Sequence, residues 1–161
     1  MASKKNILEI EPDYDFGLIA ITATVAEYIL CIYLDKQFNL LLVKQDSIFV
    51  KKNKQEIEFL LFALNCDVRQ SEFCLINNKS EGNYFLSEMR QTDYLLRFRG
   101  EWANDNHQKI IDFLKTIDGV QVVVKVDVET IKQKEMLTFE LPDLEYKLLM
   151  AYRTKRTSPT N

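Results

Sequence analysis

From Phe16 to Leu34 the chain is almost unbroken apolar sequence, with Glu27 as its only charge. That length approaches the roughly 20 apolar residues a membrane-crossing helix needs. Its flanks argue otherwise. Glu9, Glu11, Asp13 and Asp15 precede it, where a signal peptide carries basic residues, and only the neutral pair Asp35 and Lys36 follows. A carboxylate near the middle also adds roughly 2.5–3.5 kcal/mol to insertion. The run therefore reads as two elements of a soluble protein. Phe16 to Ile21 is extended, Thr22 or Thr24 serves as N-cap, and Val25 to Phe38 forms a helix apolar on most faces. Such a helix is expected to be sandwiched. Between Leu40 and Phe98 the pattern is that of strands, at Ser47–Val50, Ile57–Leu64, Phe73–Asn77 and Asp93–Phe98, with turn chemistry in NNKSEGN. A meander of antiparallel strands is the simplest assembly.

In the last third, Ile110, Ile111, Leu114 and Ile117 recur at helical spacing over 104–117, and Gly119 is placed to terminate that helix. A strand, Val120 to Asp127, follows directly. With Asp93–Arg99 this makes a strand–helix–strand unit over 93–127, a connection that is almost always right-handed. Alternation sends Tyr94, Leu96 and Phe98, and likewise Val120, Val122, Val124 and Val126, beneath the helix. If the two strands are neighbours, Asp93, Arg97, Arg99, Lys125 and Asp127 share the opposite, solvent-facing surface. Residues 143–152 read as a short helix opened by Asp143, and 153–161 as a disordered tail. The fold class expected is α+β: one domain over 1–152, with a buried N-terminal helix and a largely antiparallel, or mixed, sheet of about five strands.

Composition narrows the chemistry. The chain has 161 residues, 21 Lys plus Arg, 24 Asp plus Glu and a net charge of -3. One domain is the size expected, and the balance supplies no cationic field to hold nucleic acid. Neither a GxGxxG nor a GxxxxGK(S/T) spacing occurs, so the common phosphate cradles are absent. Cys31, Cys66 and Cys74 form an odd set without CxxC spacing, which fits free thiols in a reducing cytosol. His107 is the only histidine. A multi-histidine metal site is thereby excluded, and no cofactor is expected.

Residues 86–94 read LSEMRQTDY. This segment resembles the signature of the IPExxxVDY family of bacterial proteins, with Glu88, Asp93 and Tyr94 at matching positions and Leu86, Ser87 and Thr92 departing from Ile, Pro and Val. FGLIAI at 16–21, LINNKSEG at 75–82 and LRFRGE at 96–101 extend the resemblance over most of residues 7–139. It implies a cytosolic bacterial protein and supplies no catalytic residue. Physically, Tyr94 suits a core anchor whose hydroxyl needs a partner, and Asp93 or Glu88 suits a carboxylate that accepts backbone N–H groups at a turn.

The alternative is that Glu88, Asp93, Tyr94, Arg97, Arg99, Glu101, Trp102 and Lys125 border a pocket or partner surface, since Trp and Arg anchor interfaces. The leading functional expectation is a non-catalytic interaction or small-ligand-binding module that self-associates, with a protein partner or second copy and no membrane. A second is an enzyme using Glu88 and Asp93 as acid and base, which requires environments that drive their pKa values apart. A third, RNA association through Arg97, Arg99 and Lys125, is weakened because Tyr94 and Phe98 lie on the other face and leave no aromatic there to stack bases.

Overall fold

A computed structural model describes residues 15–66, 69–139 and 141. The apolar run does divide in two. Strand β1 (Gly17–Ala23) is followed by helix α1 (Glu27–Phe38). Neither expected threonine caps α1, which starts after Ala26 without a side-chain cap. Pairing carries β1 through Ala23, so Thr22 lies inside the strand and donates to the Gln91 carbonyl, while Thr24 donates to that of Gly119. Asn39 ends α1 in the left-handed conformation (φ 57°), and its N–H returns to the Asp35 and Leu34 carbonyls.

The short strand β2 (Val43–Lys44) leads to a hairpin of β3 (Ile48–Lys52) and β4 (Gln55–Phe59). Its turn residues Asn53 and Lys54 both have positive φ, the twist that matches a two-residue hairpin loop. The expected single strand 57–64 is in fact two. Leu60 separates β4 from β5 (Leu61–Cys66), which joins the main sheet instead. Next come β6 (Ser71–Asn77), the small hairpin β7 (Lys79–Ser80) and β8 (Asn83–Tyr84), β9 (Tyr94–Gly100), helix α2 (Glu101–Leu114) and β10 (Val120–Val126). Two short 3-10 turns, Val128–Thr130 and Lys134–Leu137, follow β10. The helix and tail expected over 143–161 lie outside the described residues.

Among the described residues, the main sheet has six strands in the order β10-β1-β9-β6-β5-β2, and every pairing in it is antiparallel. The fold is α+β in one domain. Helices α1 and α2 cover one face, where Ile19, Ile21, Leu75, Leu96 and Phe98 meet Leu30, Leu34, Ile110 and Leu114. The β3–β4 hairpin, the loop at 85–86 and the segment after β10 close the other, burying Leu18, Cys74, Ile76 and Leu95 beneath Phe59, Phe85, Val128, Ile131 and Leu137. Closure on both faces explains the continuous apolar runs Leu18–Ile21 in β1, Phe73–Ile76 in β6 and Tyr94–Leu96 in β9.

This second layer corrects the expected charged surface. Strands β9 and β10 run parallel to each other but are not adjacent, because β1 lies antiparallel between them. Tyr94, Leu96 and Phe98 do face the helices. Their alternates Leu95 and Arg97 face the second layer instead of water, and Arg97 is only 1% exposed. The phase assigned to β10 also fails. Thr22 pairs with Val122 but Ala23 with Val120, so a bulge inserts Gln121 and reverses the alternation beyond it. Val123 is therefore buried with the helix-side core, while Val122 and Val124 are exposed. Helix α1 is likewise not sandwiched: Leu30, Cys31 and Leu34 point inward, and Tyr28 and Ile32 are exposed.

Candidate functional site

The motif segment is built around a residue that sequence reasoning passed over. Asn78 is fully buried where β6 ends. Its Nδ2 donates to the Met89 and Thr92 carbonyls, both at 2.9 Å, and its Oδ1 accepts the Leu86 N–H at 2.7 Å. Its backbone N–H donates to the Asp93 carbonyl, and its own carbonyl accepts the Phe85 N–H. Loop 85–93 is thus wound about one side chain. The only signal was the pair of asparagines in NNKSEGN, which reads equally well as turn chemistry.

Glu88, Asp93 and Tyr94 each tie this loop to a different element. Glu88 is exposed, and its carboxylate accepts the Gln133 N–H at 2.9 Å. The Gln133 side chain reciprocates, its Oε1 accepting both the N–H and the hydroxyl of Ser87. Asp93 Oδ2 accepts the Ala23 N–H at 2.8 Å at the end of β1, and Oδ1 lies 2.9 Å from Lys79 Nζ. Tyr94 donates its hydroxyl to the Val25 carbonyl at 2.6 Å, at the entrance to α1. Burial, with the nearby carboxylates of Glu27 and Asp93, pushes that phenol up to about 12. The shallow groove beside Glu88 is lined by residues 87–92 and does not include Asp93.

Arg97 and Arg99 work on the second face. Arg97 Nη2 lies 2.7 Å from Glu72 Oε1 on the neighbouring strand, and Nη1 donates to the carbonyls of Leu137 and Phe139 at 2.6 and 2.9 Å. Its guanidinium also sits 4.4 Å from the Phe139 ring centroid and 5.6 Å from that of Phe16, within cation–π range of both. The segment after β10 is consequently held by a buried cation. Arg99, half-buried, lies 3.1 Å from Asp15, although its Nε–H is not aligned as a hydrogen bond.

Glu101 is exposed in the first turn of α2, where the helix dipole favours a carboxylate. Half-buried Trp102 packs edge-on against Phe38 and Phe73, under the Arg69 guanidinium at 4.5 Å. Lys125 is exposed on β10. With Asp15, Phe98, Asn104 and Asp127 it lines an open cleft of about 470 Å³ at one end of the sheet. His107 stacks on Phe98 beside it, with centroids 5.2 Å apart, and shares its Nδ1 with the Asn104 carbonyl. The eight candidate residues therefore occupy several separate places and form no single surface.

Cys31 and Cys74 are buried free thiols, both pushed up to about 12 by desolvation. They are thiols, not thiolates, at any physiological pH. Among the described residues, no group of three or more His, Cys, Asp or Glu is gathered as for a metal ion, and no helix is long and apolar enough to cross a membrane. The large exposed hydrophobics lie elsewhere. Tyr28 (57%) and Ile32 (47%) stand one turn apart on the outer face of α1, with Tyr33 beside them; Leu41 (56%) follows α1, Phe49 (58%) stands on β3, and Val122 (47%) and Val124 (48%) stand on β10. No protein-family model and no curated protein matches this sequence.

Proposed function

We propose that this chain is a non-catalytic protein-interaction module that associates with itself. One contrast carries the reading: Glu88, Asp93, Tyr94 and Arg97 are committed to internal partners, while apolar side chains on α1 and β10 are left to solvent. Carboxylates that anchor backbone N–H groups are poorly placed to move protons, whereas exposed apolar patches on a folded domain are the usual mark of a partner site. The IPExxxVDY resemblance belongs to the same reading, with Glu88, Asp93 and Tyr94 as the residues that hold the scaffold. A bacterial cytosol suits the buried thiols Cys31 and Cys74.

The test is native mass spectrometry of the full chain purified from its host, set beside Ile32→Glu and Val124→Glu variants. A bound chain, its own copy or another, should be present in the wild type and lost from at least one variant. A monomer that retains no other chain would count against the reading. Small-ligand binding is the second reading, favoured by the cleft that Lys125 shares with Phe98 and Asn104. A small molecule released on denaturation, and absent from a Lys125→Glu preparation, would support it.

A further inference from the structure

We infer that the outer edge of β10 pairs antiparallel with β10 of a second copy, in the register that sets Val123 opposite its own counterpart. This rests on the interaction-module reading and specifies its partner. Strand β10 stands at the end of the strand order, bonded to β1 along one edge from Val120 to Val126. Among the described residues, no strand pairs with its other edge. Alternate residues of an antiparallel strand turn both N–H and C=O outward, so that edge presents a row of donors and acceptors whose matching partner is another extended strand. At the opposite end of the sheet β2 is two residues long and offers no comparable edge. Protected edges usually carry several charges; β10 carries one, Lys125, beside its exposed valines.

The side chains identify the partner as a second copy. β10 reads VQVVVKV, which is symmetric about Val123 except that Gln121 answers Lys125. Antiparallel pairing centred on Val123 puts Val122 opposite Val124 of the second copy, and Val124 opposite its Val122. Four valines then meet on the sheet face turned away from the helices. Gln121 falls opposite Lys125, an amide oxygen beside an ammonium, with no like charges opposed. Directly opposed residues share a face, so the neighbouring two-fold registers are centred on Val122 or Val124. Those set Gln121 or Lys125 against Val123 and lose the match. Because the bulge inserts Gln121, the regular stretch that both copies share about Val123 is residues 122–124, with the Gln121–Lys125 pairs at its margins. A two-fold axis normal to the sheet keeps the helical layers of both copies on one side and extends the six-stranded sheet across the junction.

Sedimentation velocity across the micromolar range should show a dimer. The Val122→Glu, Val124→Glu double variant should weaken it by about tenfold or more, since glutamates then face one another. Both positions are exposed, and an unchanged circular dichroism spectrum confirms the fold. Cysteine pairing tests the register independently. Val122→Cys and Val124→Cys proteins, mixed and oxidised, should give a hetero-disulfide. Neither should cross-link alone, because like positions are diagonal neighbours about 7–8 Å apart, too far for a disulfide. A dimer that survives the double variant, or one in which Val122→Cys cross-links to itself as readily, overturns the proposal. So does a monomer whose β10 edge amides are protected from exchange, the edge then being occupied within one chain. A monomer that holds a different protein through β10 overturns self-pairing and the self-association of the proposed function, and leaves only its protein-interaction part; a monomer that holds nothing overturns both.

Discussion

Arg97 reaches Glu72 across two adjacent strands at 2.7 Å while the same guanidinium donates to two carbonyls of the segment that follows β10. One cation therefore joins the sheet to its cover. Truncation at Arg97→Ala leaves Glu72 without its counter-ion and two carbonyls without a donor. Breaking a buried pair costs about 3–5 kcal/mol, and that loss is expected in urea unfolding. Amide exchange should accelerate first over residues 128–139. Arg97→Lys is expected to recover only part of the loss, because an ammonium cannot serve carboxylate, carbonyls and ring faces in one plane.

Asn78 offers a second test. In Asn78→Ala the Met89 and Thr92 carbonyls and the Leu86 N–H lose their partners. At about 1–3 kcal/mol for each buried group left unsatisfied, the destabilisation should reach at least about 3 kcal/mol. Asn78→Asp is informative beside it. It keeps an acceptor for Leu86 and turns both donors into acceptors facing carbonyls, so it should be no more stable than the alanine variant. Thermal unfolding of the two decides the point.

Gly17 pairs with Phe98, and a Cβ at position 17 would lie 2.1 Å from the Phe98 ring. Gly17→Ala must displace a ring that is stacked on His107 from another direction. A cost of about 1–3 kcal/mol is expected, the range for overpacking a core. Phe98→Leu should reduce the penalty of Gly17→Ala, so the pair is expected to be clearly non-additive in a double-mutant cycle.

Alkaline pH should destabilise the fold in a defined window. Burial raises Cys31 and Cys74 from 9.0 to about 12, and Tyr94 from 10.0 to about 12. The folded chain therefore binds these protons more tightly than the unfolded chain, and stability falls wherever the unfolded state has released them first. It should be fully present below about pH 9, decline above that, and level off beyond about pH 12. Urea midpoints measured against pH report the decline. Tyr94→Phe should remove the part that begins near pH 10 and leave the thiol part.

How far the sequence can be read follows from the range of each interaction. Helix α2 was legible because Ile110, Ile111 and Leu114 are neighbours on one helical face. Its end was not, since it stops at Leu114 with Lys115 as a right-handed C-cap, and Gly119, expected to terminate it, takes its positive φ (93°) in the turn into β10. Nor was the split at Leu60. Ile57, Phe59, Leu61 and Ala63 alternate without interruption, although the first two belong to a hairpin and the others to the main sheet. Arg97 was misplaced for a similar reason. Its alternation phase was right, but its burial depends on residues 128–139, whose periodicity announces no layer. The bulge at Gln121 depends on how β1 meets β10, which the local sequence VQVVV does not encode. In the motif, the backbone-anchoring roles of Asp93 and Glu88 and the core role of Tyr94 were legible from residue type, while the part played by Asn78 and Gln133 required the fold.

Among the described residues, the first strand in chain order, β1, lies inside the sheet, not at its edge. Leu18 is flanked by Arg97 and Val126, the latter more than a hundred residues downstream. Until β10 has emerged from the ribosome, β1 can have only one of its two neighbours. Long-range closure of this kind slows folding. The nascent chain should accordingly resist proteolysis only once it extends past the region of Leu137, which makes late premature termination nearly as damaging as early.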